Sequence, residues 1–157
     1  MTASRPLAAA LAAAAAMTAC ANPNKPSADG PVRLRGAITQ TIINRGETAT
    51  LTFRLENVSQ NPVTLNFSSS CQIMPYIADR RTSQIVHPAG GGWVCLTVLT
   101  QLELAAGASR AVDVQVRAAD VAAQPFVALA PGEYEAYAKI DASPYKLQSA
   151  SVTFTVR

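Results

Sequence analysis

The chain has 157 residues, enough for one domain with a substantial core and too few for two of ordinary size. Its 13 basic and 10 acidic side chains leave a formal net charge of +3, and the Lys and Arg are scattered, so the pI of about 9.0 marks no nucleic-acid surface. Hydrophobic residues make up 49%, a figure inflated by the alanines near the start of the chain.

Residues 1–20 read as a signal peptide outside the fold: Arg5 is the positive end, 7–16 form an apolar run, and small residues lead into Cys20. The run is shorter than the ~20 residues a helix needs to cross a bilayer. Polyalanine also offers no amphipathic face to a core. Met17-Thr18-Ala19-Cys20 resembles the lipobox of bacterial lipoproteins, which predicts lipidation of Cys20 and a membrane anchor in the cell envelope, periplasmic or extracytoplasmic. Cleavage after Ala21, with secretion, is the alternative, because Ala19-Cys20-Ala21 fits the small-x-small pattern. Residues 21–31, with three prolines and little to bury, read as a flexible tether to a domain spanning 32–157.

Val32, Leu34, Ile38 and Ile42 share one parity and predict a first strand over 32–43, kinked at Gly36. Residues 44–47 turn the chain. Leu51, Phe53 and Leu55 then alternate with Thr52, Arg54 and Glu56, and Val63, Leu65 and Phe67 alternate with Thr64, Asn66 and Ser68. Side chains on a strand point to opposite faces with period two, so these are two strands with one buried face each, read as a hairpin-like pair. Asn57, Ser59 and Asn61 suit the intervening turn, and Pro62 stands where a strand can begin.

Cys71 and Ile73 continue the inward parity until Pro75, and 76–79 stay extended. Residues 80–92 are the irregular part, with a short strand at 84–86 and the run Pro88-Ala89-Gly90-Gly91-Gly92 at the end. Trp93 reads as a packing residue. Val98, Thr100, Leu102 and Leu104 resume alternation, and Val112, Val114 and Val116 form the clearest half-buried strand of the second half. Residues 118–130 show no period two and are read as a long connection or a short helical turn. Tyr134, Ala136, Ala138 and Ile140 share a face, as do Val152, Phe154 and Val156. Seven to nine short strands without an amphipathic helix predict an all-β, immunoglobulin-like antiparallel β-sandwich, because each one-faced sheet must cover its apolar side. Gly132-x-Tyr134 resembles a tyrosine corner, the alternative being an ordinary strand tyrosine.

If Cys20 carries lipid, Cys71 and Cys95 remain as an even pair in an oxidising setting and predict a disulfide. Two separate buried thiols are the alternative.

Asn44-Arg45-Gly46-Glu47, the strand 51–57, the run from Pro62 to Cys71, and 104–107 before a valine-rich strand together resemble the BsuPI-type intracellular proteinase inhibitor family. The resemblance covers 32–157 and is concentrated in 45–71. It implies a β-sandwich that binds a protein, a protease in the named case. The chain departs from the family in carrying an export segment and in lacking an aromatic-rich stretch after Cys71.

Chemistry is sparse. His87 is the one histidine, and no nucleophile elbow accompanies it. No HExxH, paired CxxC, acidic calcium loop or glycine-rich loop before a helix supports a metal or cofactor. Met74 and His87 with both cysteines would make a soft copper set only without the disulfide. The reading is therefore a non-enzymatic proteinase inhibitor-like domain, recognising protein non-covalently through the loop 80–92, with Arg80, Arg81 and His87 as candidate contacts. Two arginines would suit an acidic specificity pocket. The alternative is a non-inhibitory envelope module that holds a partner by its edges or loops.

Overall fold

The period-two segments become strands of a two-sheet sandwich in a computed structural model that describes residues 30–121 and 125–157. The signal segment, Cys20 and tether residues 21–29 lie outside them. In chain order the strands are β1 (Val32–Ile38), β2 (Ile42–Ile43), β3 (Thr48–Asn57), β4 (Val63–Phe67), β5 (Met74–Asp79) and β6 (Ile85–His87). They continue as β7 (Thr100–Leu104), β8 (Ser109–Ala118), β9 (Val127–Leu129), β10 (Gly132–Ser143), β11 (Lys146–Gln148) and β12 (Val152–Val156). Eight of these have five residues or more, and the other four have two or three, too short for a period to show.

One sheet runs β1-β3-β8-β9 and the other β2-β12-β10-β4-β7. The long β10 is the axis of the second sheet: it pairs with β12 and β11 along its length, and with β5 and β4. Ser149 lets β11 pass into β12, donating its N–H to Ala138 O and accepting the Ala138 N–H on Oγ, so this buried hydroxyl is satisfied. Phe53, Phe67, Leu51, Leu55, Leu65 and Ile77 are fully buried in one cluster drawn from both sheets. Each such side chain contributes about 1.5–3 kcal/mol by leaving water.

The strands β3 and β4 are not a hairpin. β3 pairs with β1 and β8, while β4 pairs with β10 and β7, so residues 58–62 cross from one sheet to the other. Buried Asn57 holds this crossing: its Nδ2 donates to Asn61 O, Leu104 O and Ala105 O, and its Oδ1 accepts from the N–H and hydroxyl of Ser59. A side-chain amide thereby supplies partners to backbone groups that the crossing leaves without a ladder.

The first expected strand is likewise two strands in different sheets. Its parity changes across 39–41, so Ile42 is 45% exposed and Ile43 is fully buried beside β12. Gly36 does not kink it; the register of β1 on β3 runs unbroken from Val32 to Ile38. Glycine is there for space: a Cβ would stand 3.0 Å from Phe53 Cε1 and 3.1 Å from Val152 Cγ2. Residues 127–129 form β9, parallel to β8, and β2 is parallel to β12, so the sandwich is antiparallel except at these two pairs. Tyr134 makes the corner bond, its hydroxyl donating to Ala130 O at 2.8 Å, and stacks on Phe154.

Candidate protein-recognition site

Residues 80–92 divide into a hairpin turn and an approach to Trp93. β5 and β6 pair, and Asp79 closes the turn between them by accepting from the N–H groups of Arg81 and Thr82 and from the Thr82 hydroxyl. The Thr82 N–H bond is the main reason the Asp79 carboxyl lies below its ordinary pKa. Arg80 is ion-paired with Glu133 at 3.1 Å, and Arg81 points into solvent. His87 sits at the far end of β6, roughly 10 Å of strand away. The hairpin therefore does not bring Arg80 and Arg81 together with His87.

His87 instead meets the edge of the Trp93 ring, centroids 5.4 Å apart. Burial lowers its pKa, and its Nε2 is buried without a hydrogen-bond partner among the described residues, so the imidazole is neutral near pH 7. Both rings line a shallow groove of about 490 Å³ with Ile73, Pro75, Val112 and Asp113. The Asp113 carboxylate accepts from the Thr52 hydroxyl at 2.7 Å. Among the described residues no group of three or more His, Cys, Asp or Glu side chains could hold a metal.

Beyond Trp93 the chain is pinned at successive points. Trp93 Nε1 donates to Pro75 O at 3.0 Å. Cys95 is bonded to Cys71, with Cα atoms 5.5 Å apart. The Leu96 N–H donates to Ser70 Oγ at 2.9 Å, and Leu96 O accepts the Ser70 N–H at 3.0 Å. The Thr100 hydroxyl then donates to Ser69 O. Between these pins the apolar side chains face outward: Val94 is 98% exposed, Leu96 73% and Leu99 86%. Scattered exposed aliphatics are ordinary, but three within six residues of an anchored segment form a patch of the kind that marks contact surfaces.

Sequence reasoning placed Trp93 in packing and Val98 at the start of an alternating strand, and so passed over residues 94–99 as a contact surface. The usable signal was the absence of charge. From Pro88 to Leu102 there is no Asp, Glu, Lys, Arg or His, and Cys95 is in the bridge.

The family model described as "BsuPI: Intracellular proteinase inhibitor" matches residues 37–145. No curated protein matches. Among solved structures, the chain is 20% identical to Pseudomonas fluorescens alkylpurine DNA glycosylase AlkC bound to DNA containing an abasic site analog, covering 83% of this chain and 31% of that one, with a TM-score of 0.45. It is 10% identical to a CARDB domain from Pyrococcus furiosus in complex with di-metal ions, covering 80% and 89%, at a TM-score of 0.47. It is 8% identical to Spo0M, a sporulation control protein from Bacillus subtilis, covering 82% and 50%, at 0.45. The chain spans less than a third of the glycosylase and half of Spo0M.

Proposed function

Because the chain belongs to the BsuPI intracellular proteinase inhibitor family, we propose that it is a proteinase inhibitor-like binding domain, working by surface recognition and without chemistry of its own. The observation that carries this reading is the pinned segment 93–99, which presents Val94, Leu96 and Leu99 to solvent while its backbone is held by a disulfide and by Ser70. A segment ordered before binding loses little conformational entropy on docking, so its contacts appear as affinity.

The setting we propose is the bacterial cell envelope, with Cys20 lipidated and 21–31 as the tether. Two features support it, the apolar run 7–16 with the lipobox-like residues that follow it to Cys20, and the disulfide, which belongs to oxidising compartments. On this reading Cys20→Ala moves the protein from the membrane fraction to the soluble fraction. Retention of the variant at the membrane would remove the lipid anchor from the account.

A second reading rests on β7, which ends its sheet directly after the exposed Leu99. An end strand can accept a strand from a partner, as an assembly module would use it. Titrating the full chain into a panel of proteinases separates the two. The inhibitor reading expects stoichiometric loss of activity for at least one of them. Full activity throughout at molar excess, with a non-proteinase partner recovered from envelope extract, supports the assembly module instead.

A further inference from the structure

Within the inhibitor reading, on which this inference rests, we propose that Val94 is the primary specificity residue and that it enters a proteinase pocket shaped for an aliphatic side chain. Among the described residues Val94 is the most exposed of the large apolar side chains, at 98%, and it stands between two anchored neighbours. On its N-terminal side the Trp93 indole is tied to Pro75 O. On its C-terminal side Cys95 is bridged to Cys71, and Leu96 is bonded through both its N–H and its carbonyl to Ser70. The chain is thus fixed on either side of one projecting residue, the arrangement needed to offer that residue to a cleft while resisting displacement.

The chemistry of the segment selects the partner. From Pro88 to Leu102 there is no Asp, Glu, Lys or Arg, so an acidic or basic specificity pocket would find no counter-charge and would have its own charge desolvated unpaired. Val94 is β-branched and of medium size, matching a shallow aliphatic pocket and leaving a deep aromatic one part empty. Leu96 and Leu99, also outward, supply apolar contacts to the walls of the same cleft. The basic pair Arg80 and Arg81 lies on the turn of the β5–β6 hairpin, with Arg80 already paired to Glu133.

The test compares the full chain with Val94→Arg and Val94→Asp against serine proteinases whose pockets prefer small aliphatic, aromatic or basic side chains. The wild type is expected to inhibit the aliphatic-preferring enzyme best. Val94→Arg should weaken that inhibition on the order of a hundredfold and create inhibition of the basic-preferring enzyme, while Val94→Asp should weaken the first and create none of the second. Thermal unfolding is expected to coincide for all three proteins, because Val94 lies outside the core, so lost inhibition cannot come from lost folding. If the wild type inhibits a proteinase and neither substitution changes its inhibition constant, the bait lies elsewhere and this inference is overturned while the inhibitor reading stands. Rapid cutting of Val94→Arg at residue 94 by the basic-preferring enzyme, without inhibition, also overturns it. Failure of the wild type to inhibit any proteinase removes the inhibitor reading, and this inference with it.

Discussion

The corner at Asn57 and the segment 93–99 hold irregular backbone in two opposite ways. At the corner the chain crosses between sheets through surface residues 58–62, and the one buried amide of Asn57 supplies the backbone partners that strand pairing cannot. In the segment there is little core to lean on; a disulfide, one indole N–H and a serine fix the backbone while the aliphatic side chains stay in water. The corner maintains the fold, and the segment has room to vary its exposed residues without disturbing that fold. Such a division of labour lets a scaffold keep its stability while its recognition surface changes.

If stability resides on the core side of that division, Phe53→Ala should have the largest effect, destabilising by about 3–5 kcal/mol in urea unfolding, since its ring is fully buried against both sheets. Replacing Cys71 and Cys95 together by serine should cost roughly 3 kcal/mol through the lost loop constraint. The same double variant should also become more susceptible to proteolysis at residues 93–99, where Phe53→Ala acts only through global unfolding. Asn57→Ala should cost about 2–3 kcal/mol, because Leu104 O, Ala105 O and Asn61 O lose a shared donor. Gly36→Ala should cost about 1–3 kcal/mol by pressing on Phe53 and Val152; a neutral result would show that β1 can shift outward.

The smallest effect expected is a pH dependence centred on His87. Its folded pKa lies below the ordinary 6.5 because burial penalises the imidazolium. The contribution to stability from keeping it neutral is fully present above pH 6.5 and declines as the pH falls from there towards the folded value, since over that window the unfolded chain binds the proton more readily. Trp93 is the only tryptophan and meets the only histidine, so its fluorescence should titrate below pH 6.5 in the wild type and not in His87→Phe.

The buried faces were legible from sequence because a strand with one wet side carries period two. Leu51, Phe53, Leu55, Val63, Leu65, Phe67, Tyr134 and Ile140 are all buried as that rule requires. What the period does not carry is which sheet a strand joins. Parity looks the same for a hairpin and for a crossing, so the five-residue link after Asn57 was read as a hairpin turn, and only the pairing partners show the crossing. β9 and β11 were missed, and β2 was merged into the first strand, because two or three residues hold no repeat.

The candidate site was legible in its covalent part, through cysteine parity, and not in its surface part. Val94, Leu96 and Leu99 have the composition of a core and the exposure of a loop, and nothing in an apolar side chain records which it is. Ile42 and Ile43 make the same point in adjacent positions, one outward and one fully buried.

Preorganisation of the segment 93–99 is the claim on which recognition depends, and amide hydrogen exchange of the free, oxidised protein tests it directly. The account predicts that the Leu96 and Ser70 amides, bonded respectively to Ser70 Oγ and Leu96 O, exchange far more slowly than in an unstructured peptide of the same sequence. Exchange of both at the peptide rate would contradict it, showing a segment that the disulfide tethers but does not order.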